Sequence, residues 1–293
     1  MNDPKKHHFS AQFYLRGWCN ADSKIIEYTR PYRKVVAKPV SPEATGFKEF
    51  LYTLDEAPDD ARQNIETKYM APIVDNRGAL AVKILIELDR NKLTDDVRRD
   101  FTRFLLASIH RTPDNISRIT KEFTENIRQN LNADPTLYKT LQPGDPPTPY
   151  EWLEKNRPHL VTDIAKQAAL GNIENQRISD IVINMEWWTF DLQKSGHELM
   201  TSDAPFLRTT GLGYPTCLIA FPLSPRFLFV AAHDERISNA LLECGETAIV
   251  RWVNDNTARA AKHYVYARTK SHLQFVEKRL CLPGTFGPIV PPY

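Results

Sequence analysis

The sequence is poor in the residues that mark a disulfide-stapled or metal-stapled fold. It holds four cysteines in 293 residues, Cys19, Cys217, Cys244 and Cys281, all far apart. None forms a C-x-x-C pair, and no histidine pair stands at zinc-finger spacing, so four reduced thiols are expected. Glycine is scarce too: 11 residues, below the usual share of about 7%. The glycine-rich cofactor loops are missing with it, since neither G-x-G-x-x-G nor G-x-x-x-x-G-K-[ST] occurs. H-E-x-x-H and G-x-S-x-G are also absent. The one Gly-x-Gly, Gly211 to Gly213, runs into Tyr-Pro and reads as a turn.

Long apolar runs are lacking. The opening MNDPKKHHFSAQF carries no apolar leader segment. Apolar stretches such as CLIAF in the C-terminal half stay far from the ~20 residues a bilayer span needs. Lys+Arg 38 against Asp+Glu 36 leaves +2, no overall pull toward nucleic acid or anionic membrane. A cytoplasmic protein without a membrane partner is the expectation. Proline is abundant instead, with 21 residues against a usual share of about 5%. Disorder raises proline and glycine together. Proline alone points to a compact fold with stiff corners.

Periodicity predicts α+β: a β-rich N-terminal segment and C-terminal sheet around a helical middle section. In residues 1–56, Ser10 can cap a short helix over 11–16 that Gly17 ends. Residues 24–40 read as two strands broken at Pro31 and Pro39, and 47–54 as a third. The helical insertion covers 57–185. It begins near Pro58, breaks around Pro72, restarts at the Thr94 cap, and restarts again at Asp114 after Thr112-Pro113. A Pro-rich loop occupies 132–149. Helices follow at 150–155, 159–171 and 174–185. From 186 to 293, four strands (EWWTFDLQ, HELMTSD, TCLIAFPLS, RFLFVAAHD) precede two helices, a last strand HYVYAR, a terminal helix and the irregular tail GTFGPIVPPY. Ile219 to Phe221 and Phe227 to Ala231 are continuously apolar, as strands covered on both faces are.

Four patterns in order look familiar: Lys6-His7-His8-Phe9-Ser10-Ala11-Gln12-Phe13-Tyr14-Leu15-Arg16; Leu106-Ala107-Ser108-Ile109-His110-Arg111-Thr112-Pro113; Met200-Thr201-Ser202-Asp203-Ala204-Pro205; and Phe221-Pro222-Leu223-Ser224-Pro225, with Asn254 about thirty residues on. Over about residues 6 to 267 the chain resembles the bacterial family catalogued as domain of unknown function 4238. Ala11 stands where the family opening usually has proline. The resemblance implies one family unit over residues 1–293 and carries no biochemical activity.

The candidate chemistry lies at element ends. His8 and Gln12, four residues apart, can share one helix face, and imidazole is the neutral-pH acid/base. They can equally satisfy backbone groups. Pro205 restrains Ala204 to extended backbone and so projects Asp203 from a strand end, toward a metal, a histidine or a substrate hydroxyl, or else into an Asx-turn. Ser202 is a weaker nucleophile. Arg111 closes an apolar helix and can grip phosphate or the helix's own last carbonyls. Asn254 opens Asn254-Asp255-Asn256, a sequence costly inside a helix, hence a special site or a break. Metal candidates for a divalent ion are His8, Glu66 and Asp203. His233-Asp234 reads as a helix cap. His110, His159, His197, His263 and His272 suggest no ligand set. Trp187 and Trp188 alternate faces if they lie on a strand; one can stack a ring, though core is the plainer role. Lys5, Lys6, Arg16, Arg30, Arg33 and Lys34, interleaved with Tyr14, Tyr28 and Tyr32, suit nucleic acid or a nucleotide, or a plain solvated face.

Two functions remain open. One is hydrolysis of a phosphoester, nuclease-like or nucleotide-directed, with His8, Gln12, Arg111, Asp203 and Asn254 as catalytic group and Tyr14, Arg16 and Ser202 holding substrate. The other is a non-enzymatic binding or interaction protein in which the same residues are turns and locks. A role in bacterial defence or toxicity is conceivable for such a protein, but no residue carries it.

Overall fold

Strands from the two ends of the chain share one sheet, with the helical middle running between them in sequence. The computed structural model describes residues 5–282 and 289–292. The opening contains β1 (Lys6–His8), α1 (Gln12–Arg16), β2 (Ile25–Thr29), β3 (Val36–Val40) and β4 (Phe47–Glu49). β1 pairs antiparallel with β4, so His8 lies on a strand and not on the helix of Gln12. Ala11, not Ser10, occupies the α1 N-cap, without a side-chain bond. Ser10 instead packs against Gly46, whose φ is +63° and where an added Cβ would stand 2.8 Å from the Ser10 Cβ. Pro39 does not break β3 but sits inside it opposite Ile26. β3 is an edge strand, where a missing N–H goes unnoticed by the ladder.

The middle is helical. A π-helix spans Ile65–Asp75 and continues into α2 (Asn76–Glu87). Pro72 lies within the π-helix, so the expected break there does not occur. The wider π turn changes the hydrogen-bond register that a proline would block in an α-helix. Next come α3 (Asp95–His110), α4 (Pro113–Ala133), α5 (Pro135–Tyr138), α6 (Pro149–Asn156), α7 (Leu160–Gly171) and α8 (Gln176–Ile183). Thr94 Oγ1 accepts from Val97 N to cap α3, and Thr112 Oγ1 accepts from Asn115 N to cap α4. The expected irregular stretch 132–149 therefore begins later, since α4 runs to Ala133 and α5 sits inside it.

The last third holds β5 (Glu186–Asp191), β6 (Thr201–Ser202), β7 (Leu207–Arg208), β8 (Leu218–Pro222), β9 (Phe227–Ala232), α9 (Glu235–Glu243), α10 (Glu246–Ala260), β10 (Val265–Ala267) and α11 (Leu273–Glu277). Asp234 caps α9 by accepting from Arg236 N at 2.9 Å, as its sequence position predicts. The predicted tail lies partly outside the described residues, which omit 283–288 and 293. α10 runs unbroken through Asn254, so the polar triplet is no helix break.

One antiparallel sheet has the order β3-β2-β10-β6 and a second the order β5-β9-β8-β7. The architecture is α+β. The second sheet separates two apolar layers. Trp187, Ile219, Phe221, Phe229 and Ala231 face the helical layer with Phe101 and Phe104. Phe190, Leu218, Ala220, Leu228 and Val230 face the α10 side with Ile249 and Val253. The two-faced burial explains the unbroken apolar runs in β8 and β9. The helix α2 approaches α3 closely at Gly78, where an added Cβ would lie 2.9 Å from the Phe104 Cβ.

Candidate functional site

The four sequence patterns interlock inside the protein. Tyr14, buried on α1, bonds Thr201 Oγ1 at 2.6 Å and donates to the Pro222 carbonyl at 2.7 Å. Trp18 Nε1 reaches the Leu199 carbonyl at 2.9 Å. The first pattern is thereby fixed to the third and the fourth. Burial pushes the Tyr14 phenol up, so it stays neutral.

Asp203 follows β6 and is 5% exposed. Its Oδ1 accepts from Lys262 N at 2.9 Å; its Oδ2 accepts from His263 N at 2.7 Å and Tyr264 N at 3.3 Å. The carboxylate thus binds the chain between α10 and β10. Burial raises its pKa to about 6, against the pull of those amides. Ser202 Oγ accepts from Ala204 N at 3.1 Å, a local turn bond. Asn254, buried in α10, accepts from Met200 N at 2.7 Å and donates to the Glu198 carbonyl at 2.8 Å. Both ends of its amide are spent on the segment that leads into β6.

Arg111 closes α3 and is 1% exposed. Its Nη1 donates to Asp75 Oδ1 at 2.7 Å, and its backbone carbonyl accepts from the Tyr52 hydroxyl at 3.0 Å. Its Nε has no partner. Glu66, on the first turn of the π-helix that ends at Asp75, also has a buried Oε2 without a partner. Burial and the nearby Asp75 raise the Glu66 pKa to about 7, with Arg111 pulling the other way. Burial likewise pushes Asp75 up despite Arg111. Sequence reasoning missed Asp75 and Tyr52. The available signal for Asp75 was one acid in the apolar run APIVDNRGALAV.

His8 and Gln12 do meet, by proximity of β1 and α1 and not on one helix face. Gln12 Nε2 lies 3.3 Å from His8 Nδ1, and Gln12 Oε1 accepts from Arg16 Nη2 at 3.0 Å. Arg16 points outward to Glu43 at 2.9 Å. Burial lowers the His8 pKa to about 4. His7 is fully buried: its Nδ1 accepts from Tyr52 N at 2.8 Å, and its ring stacks on Tyr52.

Tyr14, Arg111, Ser202 and Asp203 line one small cavity of about 10 Å³, the scale of a single water. His8, Gln12, Arg16, Glu66 and Asn254 do not line it. A wider cleft of about 520 Å³ adjoins it through Ser108 and Asp203; Arg118, Arg208 and Lys262 stand around it with Asp114. The metal candidates His8, Glu66 and Asp203 are not gathered, and among the described residues no group of three or more His, Cys, Asp or Glu could hold an ion. The basic opening is no continuous aromatic face: Tyr14 and Tyr28 are core, and Arg30 Nε donates to the Leu280 carbonyl at 2.8 Å. Trp187 is also core, with Nε1 on the Val182 carbonyl at 2.9 Å.

This interlocked set defines an α+β protein whose recurring polar residues sit where distant parts of the chain meet. The family model described as protein of unknown function (DUF4238) matches residues 6–271, and the chain belongs to that family. No curated protein and no solved structure matched it. Among the described residues no helix is long and apolar enough to cross a membrane.

Proposed function

We propose that this chain is a binding or interaction protein, and that its polar patterns are locks that tie the C-terminal part together and join the N-terminal segment to it. One observation carries this reading: the Asp203 carboxylate is committed to three backbone amides of residues 262–264. A carboxylate so engaged has little left for a metal or a substrate hydroxyl. Asn254 supports the same reading, with donor and acceptor both used on backbone.

Phosphoester hydrolysis is the second reading, favoured by the cleft beside Asp203. Arg118, Arg208 and Lys262 would hold phosphate charge there, and Arg111, whose Nε has no partner among the described residues, lines the adjoining cavity. The deciding experiment pairs melting temperature with turnover of single-stranded DNA, RNA and a nitrophenyl phosphodiester, with and without added divalent metal. The binding reading expects large melting losses in Asp203→Ala and Asn254→Ala and no turnover above background. Metal-stimulated turnover that Asp203→Asn abolishes at an unchanged melting temperature would establish the hydrolase instead.

A further inference from the structure

The edge of the second sheet is open beside a groove. Among the described residues β5 pairs only with β9, along its whole length from Glu186↔Ala232 to Asp191↔Phe227. Leu192 N donates to the Arg226 carbonyl at 3.0 Å. Because hydrogen-bonded and non-bonded positions alternate in antiparallel pairs, the backbone groups of Trp187, Thr189 and Asp191 then point away from β9. They form the unpaired row of an edge strand.

A groove of about 700 Å³ runs along this edge. Trp187 and Trp188, which face opposite sides of the sheet, both line it, so it lies off the strand edge and not over one face. Its walls carry Leu85, Leu88, Leu93 and Leu242. Leu88 is 50% exposed and Leu242 47% exposed. Leu88 also holds a φ of +58° at the end of α2, a conformation disfavoured for leucine, which turns the chain at the mouth of the groove.

The charged residues that line the groove are mostly acidic. Asp89, Glu186, Asp191 and Glu246 line it against Arg98 alone. Arg98 is already used, with Nη2 on the Met185 carbonyl at 2.7 Å and its guanidinium 4.2 Å from the Trp187 ring centre. Asp89 is paired with Lys92 at 3.4 Å, Asp191 is paired with Arg226 and Glu246 accepts from Lys194 N, while among the described residues no hydrogen bond or ion pair engages the Glu186 carboxylate.

We infer that β5 is a strand-addition site, and that its occupant is an extended segment of a partner protein with apolar residues alternating with Lys or Arg. The backbone row supplies main-chain bonds, the leucines take alternate side chains, and the carboxylates select the basic ones. A second copy of the chain is a poor occupant, since pairing edge to edge sets the same acidic rim against itself.

The test uses the full chain and a fluorescent synthetic peptide of about eight residues alternating Val and Lys, followed by anisotropy. Three controls accompany it: a scrambled peptide, a Glu-for-Lys peptide, and a peptide N-methylated at alternate backbone nitrogens. The expected result is that scrambling, N-methylation and the Glu exchange each weaken binding about tenfold or more. Asp89→Lys with Glu186→Lys should reverse the charge preference. Thr189→Pro should abolish binding without unfolding, because an edge strand tolerates proline where its N–H faces solvent. Equal binding of the N-methylated peptide overturns strand addition even if Thr189→Pro fails to fold. Equal binding of the Glu peptide overturns the basic partner. A dimer of the chain that Glu186→Lys strengthens overturns the choice of a foreign occupant.

Discussion

Arg111 spends Nη1 on Asp75 at 2.7 Å, yet its Nε is left without a partner at 1% exposure. Buried guanidinium is tolerated when paired, and half-paired it is costly. The nearby Glu66 shares this condition, with Oε2 buried and unpartnered and a pKa raised to about 7. The π-helix brings Glu66 and Asp75 to the same guanidinium, and π segments in helices often mark such special positions.

Glu66 makes stability fall with rising pH. Its carboxyl binds a proton more tightly in the folded chain than at the ordinary 4.5, so the native state carries the extra proton between about 4.5 and 7. The stabilisation is full below that window and is lost as pH rises through 7. The loss is on the order of 3 kcal/mol. Glu66→Gln should remove this contribution, so that it gains stability relative to wild type from pH 5 to pH 8. Urea unfolding at pH 5 and pH 8 checks it: a wild-type slope that persists unchanged in Glu66→Gln would refute the assignment.

Asp203→Ala strips acceptors from three amides at once. Charge-assisted bonds of this kind are worth about 1.5–3 kcal/mol each, and burial of the free amides adds to the cost. The expected loss is about 3 kcal/mol or more, after the price of burying the carboxyl is returned. Asp203→Asn keeps one accepting oxygen but turns an NH₂ toward amides, so it should fall between Ala and wild type. Hydrogen exchange at Lys262, His263 and Tyr264 should rise in both variants. Unchanged exchange there would contradict the lock.

Gly78→Ala sets two effects against each other. Alanine gains about 1 kcal/mol of helix propensity over glycine. The new methyl would stand 2.9 Å from the Phe104 Cβ and 3.0 Å from its Cγ. Phe104 is itself buried among Tyr14, Phe101 and Phe221, so it cannot swing away. Overpacking of this kind costs about 1–3 kcal/mol, and a net loss of melting temperature is expected. A stabilised Gly78→Ala protein would show that α2 and α3 can part freely.

Much of the fold was legible because periodicity and capping act locally. Thr94 and Asp234 announce their helices, and the unbroken apolar runs of β8 and β9 announce a sheet covered on both faces. β1 was not legible: three residues with a partner at β4, some forty positions away, carry no local pattern. Nor was the π-helix, because Pro72 signals a break in the α register, not a change of register. The sequence singles out Asp203, Asn254 and Arg111 as polar residues at special places, and the structure buries all three. Their partners were not legible, since those are backbone amides, carbonyls and one acid in an apolar run, all set by tertiary approach.

His8 gives the opposite pH slope to Glu66. Burial, with Arg111 and Lys6 adding to it, lowers its pKa from 6.5 to about 4. Between those values the unfolded chain binds the proton that the folded chain refuses, so this contribution is intact above pH 6.5 and lost as pH falls toward 4. Glu66 gains stability over much of the same descent, and the two partly cancel in the wild type. Relative to wild type, His8→Gln should therefore grow more stable from pH 7 to pH 5 and Glu66→Gln less stable, since Asp203, raised to about 6, adds the same slope to all three proteins. Melting temperatures of both variants across pH 4.5–7.5 read the signs directly. Differences from wild type of the same sign in the two variants would mean that one of these side chains is exposed to water in the folded protein.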